Sequence, residues 1–125
     1  MQNLQSSRSV GDVGEDYVCG FLKENGYEIL ARNFTVRGGE IDIIASQGNR
    51  LAFVEVKTRK VGALTSGESA ITYTKKQRLI KTARAYLYKT KIKAFCRFDV
   101  AVVHHDNGRV VYFKYYRAAF DASSK

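Results

Sequence analysis

Gly39-Glu40-Ile41-Asp42-Ile43-Ile44-Ala45-Ser46-Gln47-Gly48-Asn49-Arg50-Leu51-Ala52-Phe53-Val54-Glu55-Val56-Lys57 is the stretch that decides the fold. Two apolar, β-branched runs flank a Gly-Asn pair, the signature of a β-hairpin. If Gly48 and Asn49 form a two-residue loop, Gln47 faces Arg50, and pairing continued outward sets Asp42 opposite Glu55. Side chains alternate faces with period two, so Glu55 and Lys57 share a face. Directly opposed residues also share one, which brings Asp42 to the same side. A slip of one residue would turn Asp42 to the opposite face. The two acids and the ammonium lie in runs that otherwise read as buried, and burying a charge is costly unless it is paired, hydrogen-bonded or metal-bound.

The chain has 125 residues, enough for one domain with a real core. A hydrophobic content of 45% places it among globular chains. No apolar run is long enough to span a membrane. Residues 1–8 lack the apolar segment of a secretory signal. The two cysteines, Cys19 and Cys96, lack zinc-ligand spacing and read as reduced, half-buried thiols. Together these point to a cytoplasmic protein with no membrane partner. The net charge of +9 is uneven. Lys57 to Lys93 holds eleven basic residues against one acid, Glu68, while the rest of the chain is nearly neutral. An excess of that size is the footprint expected for a polyanion such as nucleic acid; the alternative is a solvated surface.

Along the chain, residues 1–11 read as a flexible start, 12–117 as a single domain and 118–125 as a flexible tail. Asp12-Val13-Gly14-Glu15 has capping-box spacing for a helix running to about Asn25, with Tyr17, Val18, Phe21 and Leu22 as its apolar stripe. Glu15 can serve that cap or a site. Tyr27 to Phe34 reads as a strand, and Arg37-Gly38-Gly39 as a turn into the hairpin. Arg59 to Tyr73 has no clear period and reads as a mobile loop. Thr74-Lys75-Lys76-Gln77 repeats the capping spacing. The helix after it carries Leu79, Ile80, Ala83, Tyr86 and Leu87 on one face, with Lys75, Lys76, Arg78, Lys81 and Lys89 mostly off it. Phe98 to Val103 reads as a strand with Asp99 inside it, His104 to Gly108 as a turn, and Arg109 to Tyr116 as the last strand. The order α-β-β-β-α-β-β describes an α/β domain with a mixed central sheet of about five strands flanked by helices.

Two carboxylates and an ammonium on adjacent strands admit a structural ion cluster, acid–base catalysis on a small molecule, or a hard-metal site for phosphodiester hydrolysis. Partly buried ion pairs add little net stability, and no histidine, nucleophile or cofactor loop joins the set. The third reading accounts for most. Mg²⁺ or Mn²⁺ takes oxygen ligands, here Asp42, Glu55 and the Val56 carbonyl, and lowers the pKa of an attacking water. Lys57 orients that water or stabilises charge on the phosphorus centre. Arg59, Lys60, Lys75, Lys76 and Arg78 then hold backbone phosphates without reading sequence. Glu40 lies two residues before Asp42, on the same expected face, as a supporting group or a strand-end charge.

An acid, a spacer and Glu-x-Lys at a hairpin end resemble the PD-(D/E)xK nuclease superfamily. The fuller set is similar to the YraN family of small bacterial proteins. That set is Gly14-Glu15, Gly26-Tyr27-x-Ile29-Leu30-x-Arg32-Asn33, Gly39-Glu40-Ile41-Asp42, Phe53-Val54-Glu55-Val56-Lys57-x-Arg59, Lys75 to Leu79 with Ala83 and Tyr86-Leu87, and Arg97-Phe98-Asp99-Val100. The resemblance covers roughly residues 11–103. It implies a restriction-endonuclease-like core and kinship with archaeal Holliday-junction resolvases, and hence a metal-dependent endonuclease acting on structured or branched DNA as a homodimer. It also implies that Glu15 joins Asp42, Glu55 and Lys57 in the catalytic set. Ile41 stands where the superfamily's name has proline. A catalytically silent nucleic-acid-binding module and a basic assembly factor contacting a protein partner are the alternative readings.

Overall fold

A computed structural model describes residues 10–62 and 71–121. Helix α1 (Val10–Glu24) is followed by β1 (Glu28–Val36), β2 (Gly39–Gln47) and β3 (Arg50–Lys60). Helix α2 (Tyr73–Thr90) leads to β4 (Phe95–Asp106) and β5 (Arg109–Phe120). The strands form one five-stranded sheet in the order β1-β2-β3-β4-β5. β3 and β4 are parallel and the other neighbours antiparallel. The mixed sheet and the element order are those expected from the sequence. Because β3 and β4 run parallel, their connection must cross back over the sheet, and α2 lies within it.

The pleat explains why each helix finds an apolar face. Ala52 and Val54 of β3 join Val18, Cys19 and Leu22 of α1, together with Ile43, Ala45, Ala101 and Val103. Leu51 and Phe53 point the other way, onto Leu79, Ile80, Ala83 and Tyr86 of α2, with Ile41, Ile44 and Phe98. Two cores thus sandwich the sheet. Glu55 and Lys57 continue the Leu51/Phe53 side of the strand, facing α2.

Several element ends differ from the sequence expectation. Helix α1 already includes Val10, so Asp12 lies inside it and its spacing to Glu15 is not the helix start. The α2 cap is Thr72, not Thr74: Thr72 is extended, and its hydroxyl accepts the Lys75 N–H at 3.2 Å. His104 and His105 belong to β4, and the turn shrinks to Asn107-Gly108, both at positive φ. His105 is buried and its Nδ1 accepts the Gly108 N–H at 3.2 Å. β5 runs on to Phe120, which is buried and stacks on Phe98 with centroids 4.8 Å apart. Of the cysteines, Cys19 is buried and Cys96 exposed, and both are free. Most of the expected Arg59–Tyr73 loop lies outside the described residues.

Candidate metal and nucleic-acid site

The hairpin loop is the two-residue Gly48-Asn49 turn, and Gln47 pairs with Arg50. From there the β2–β3 ladder runs to Ile43 opposite Val54. The next position would oppose Asp42 and Glu55. Here the side chain takes over from the backbone ladder: Asp42 Oδ2 accepts the Val56 N–H at 2.8 Å. The strict alternation of β2 breaks at the same place, since Ile41 and Ile44 enter one core cluster. The break leaves the Asp42 carboxylate at the seam between two strands.

Asp42 and Glu55 line one cleft of about 550 Å³, together with Glu40, Lys75 and Arg78. An adjoining cleft of about 390 Å³ is lined by Glu55, Val56, Lys57, Arg59, Thr72 and Lys75. Glu55 and Lys75 belong to both, and their side chains meet: Lys75 Nζ lies 3.0 Å from Glu55 Oε2. The structure therefore places Asp42, Glu40 and Arg78 on one cleft, Lys57 and Arg59 on the other, and Glu55 and Lys75 on both. It does not bring in Lys60, which is exposed at the end of β3. Lys76 points its ammonium over the Phe120 ring, 5.6 Å from the centroid, rather than into the groove.

Glu15 on α1 is buried and lines neither cleft; its charge bears on Asp42 only as a minor influence. Asn33 Nδ2 donates to both of its carboxylate oxygens, at 3.1 and 3.2 Å, and Arg32 Nη2 lies 3.4 Å from Oε1. Arg32 also binds Asp16 at 2.9 Å. Arg32 and Asn33 hold Glu15 in place, a role not foreseen from sequence. The one signal was an Asn, a residue tolerant of positive φ, inside a strand pattern; Asn33 sits at φ 52°. Two glycines bring the helices close. A Cβ on Gly14 would overlap the Thr58 hydroxyl of β3, and one on Gly39 would overlap the Thr82 hydroxyl of α2.

Burial first, then the Glu55 charge, push the Asp42 carboxyl up to about 7, against the Val56 N–H, which favours the ionised form. Glu15 and Glu40 add smaller pushes in the same direction. A carboxylate crowded by like charge is what a bound cation relieves. Among the described residues no three His, Cys, Asp or Glu side chains cluster to hold a metal. The pair Asp42/Glu55 suits a hard cation that takes one or two carboxylates and completes its shell with water and phosphate oxygens. It does not suit a closed zinc site.

Fold and site define a small α/β protein with an acidic groove on a hairpin, roofed by the first turn of a basic helix. The chain matches "Uncharacterised protein family UPF0102" over residues 14–103. It is 44% identical over 100 residues to a UPF0102 protein of Caldicellulosiruptor saccharolyticus, covering 79% of this chain and 85% of that one. A UPF0102 protein of Trichormus variabilis is 44% identical over 108 residues, covering 80% of this chain and 72% of its own. One from Geotalea daltonii is 40% identical over 121 residues, covering 96% and 95%. The protein belongs to the UPF0102, or YraN, family. Asp42, Glu55, Lys57 and Lys75 all lie inside the matched segment.

Proposed function

We propose that this protein is a cytoplasmic, divalent-cation-dependent endonuclease of the PD-(D/E)xK type that hydrolyses phosphodiester bonds in structured or branched DNA. The observation that carries the reading is the Asp42 carboxylate, held across the strand seam by the Val56 N–H, on one cleft with Glu55. Asp42, Glu55 and the Val56 carbonyl would hold Mg²⁺ or Mn²⁺. When bound, that cation supplies charge neutralisation at the scissile phosphate and a more acidic attacking water.

The chain's own groups do the rest. Lys57, on the strand face of Glu55 and lining the adjoining cleft, orients the attacking water and offsets charge developing on phosphate oxygens. Glu15, clamped by Asn33 and Arg32, adds negative field at Asp42 from the opposite side of the sheet. Arg59, Lys75 and Arg78 on the groove, with Lys81 and Arg84 exposed along α2, take backbone phosphates. Such contacts bind without reading sequence, which suits an enzyme that selects DNA by shape. Kinship with junction resolvases makes a homodimer part of the proposal.

The test incubates the purified protein with linear, flapped and four-way-junction DNA, in Mg²⁺, Mn²⁺ or EDTA. Cleavage is expected with either cation, absent in EDTA, and lost in Asp42→Ala. Cleavage that survives Asp42→Ala would sink the site assignment. The exposed basic face of α2 favours one second reading, a module that binds nucleic acid without cutting it. Tight, cation-independent binding with no product would establish that instead.

A further inference from the structure

Lys75 stands where a lysine is not expected. It lies in the first turn of α2, at the positive end of the helix dipole, where acids are favoured; that turn contains none. Its neighbours Lys76 and Arg78 have the same sign. The missing acid is supplied from the sheet. Glu55, with its side chain only 12% exposed, meets the Lys75 ammonium at 3.0 Å. The contact is also a partition. Glu55 and Lys75 are the two residues shared by the 550 Å³ and 390 Å³ clefts, so the ion pair closes the groove between Asp42 on one side and Lys57 on the other.

We propose that Lys75 is a two-position latch: it holds Glu55 while the acidic pair carries no divalent cation, and a cation at Asp42/Glu55 releases it onto a backbone phosphate. The inference rests on the cation-binding reading of Asp42 and Glu55. An ammonium and a divalent cation compete for the same carboxylate, and the doubly charged ion competes more strongly. The lysine can leave because its side chain is 49% exposed and ends in a compact charge on a flexible four-carbon stem. When it turns away, the two clefts become one groove, and the positive charge at the helix start is free to meet an anion, which helix N-termini favour. Cation loading and nucleic-acid seating are thereby coupled through one side chain, and the partition opens only when the cation is in place.

Two measurements on the full chain test this. In the first, Mn²⁺ is titrated and followed by its paramagnetic resonance signal, for wild type, Lys75→Met and Glu55→Gln. Removing the competing ammonium should tighten Mn²⁺ binding roughly fivefold, and Glu55→Gln should weaken it. In the second, binding of a four-way DNA junction is measured in Ca²⁺ and in EDTA. Lys75→Met should weaken binding in Ca²⁺ by roughly two- to fivefold, the loss of one phosphate contact, and leave binding in EDTA unchanged. A merely structural role for Lys75 moves both conditions equally. Lys75→Gln replaces Lys75→Met if thermal melting shows that the methionine variant does not fold. Unchanged Mn²⁺ affinity in the lysine variants, with wild type binding Mn²⁺, overturns the latch and leaves the carboxylate site standing. Failure of every form to bind Mn²⁺ overturns both.

Discussion

Two aspartates sit inside apolar strands of this sheet, and their surroundings are opposite. Asp99 on β4 is 1% exposed, yet every part of its carboxylate has a partner. Arg97 Nε donates to both oxygens at 3.0 and 3.1 Å, Tyr115 donates its hydroxyl, and the Ala118 N–H donates at 2.8 Å. Burial and the bond to Asp99 push the Tyr115 hydroxyl up, so it stays a donor. Among the described residues Asp42 on β2 receives one backbone N–H, and the charges that act on it from Glu55, Glu15 and Glu40 are all of its own sign. A buried carboxylate supplied with donors and a guanidinium is part of the frame. One with fewer donors and crowded by acids carries a cost, and perturbed carboxyls of that kind cluster at functional sites.

The largest expected effect separates the two directly. Asp99→Ala strips Arg97 of its carboxylate, leaving it only the Tyr27 hydroxyl, and frees the end of β5, and should cost about 3–5 kcal/mol in urea unfolding. Asp42→Ala should cost about 1 kcal/mol or less, because the charge removed was already unfavourable. Equal losses would erase the distinction.

The second prediction uses pH. The Asp42 carboxyl is raised in the folded chain to about 7 from an ordinary value of 3.8. Below the lower value both states are protonated, and the group has no effect. As pH rises from about 4 to about 7 the unfolded chain releases its proton first, so stability falls, and the loss is complete above the folded value. In EDTA, Asp42→Asn should therefore be about 1–3 kcal/mol more stable than wild type at pH 8. That margin should shrink to nothing near pH 4. A melting series in which the asparagine variant is the weaker at pH 8 would contradict the assignment.

Third, Gly14→Ala should cost about 1–3 kcal/mol, since the new methyl group meets Thr58 and α1 must lift from β3. Gly20→Ala, on the same helix with open space at its Cβ, should be neutral or stabilising, and equal melting points for the two would show that α1 does not pack as described. The smallest effect concerns affinity. Lys75→Ala should reduce the salt slope of DNA binding in Ca²⁺ by about one contact, or 0.9, whereas Lys76→Ala should change it less, its ammonium being engaged over Phe120. Equal slopes for the two variants would remove the difference between these neighbours.

The hairpin was legible because Gly48-Asn49 fixes the register locally: a two-residue loop leaves one pairing, which holds from Gln47–Arg50 to Ile43–Val54, while the break in alternation beyond it, at Asp42, had no local signal. The helix stripes were legible for a similar reason, since Leu79, Ile80, Ala83 and Tyr86 recur at helical spacing and are buried as expected. The start of α2 was misplaced by two residues because Thr72 and Thr74 offer equivalent hydroxyls and only the backbone chooses between them. The length of β5 was missed because Phe120 is kept by tertiary contacts, a stack on Phe98 and the Asp99 bond to Ala118. Within the site, Asp42, Glu55 and Lys57 were readable as charges out of place. Glu15's clamp and the Lys75–Glu55 pair were not, because they join elements 17 and 20 residues apart, and no local pattern encodes them. Asp99 and Asp42 looked alike in sequence; only their partners tell them apart.

The most direct test is cleavage of a labelled four-way DNA junction in Mn²⁺ by wild type and by Lys57→Ala, prepared identically. The groove described here predicts products from wild type and none above background from Lys57→Ala, with both proteins still folded. Equal cleavage by the two, or none by a wild type that binds both Mn²⁺ and the junction, would contradict it.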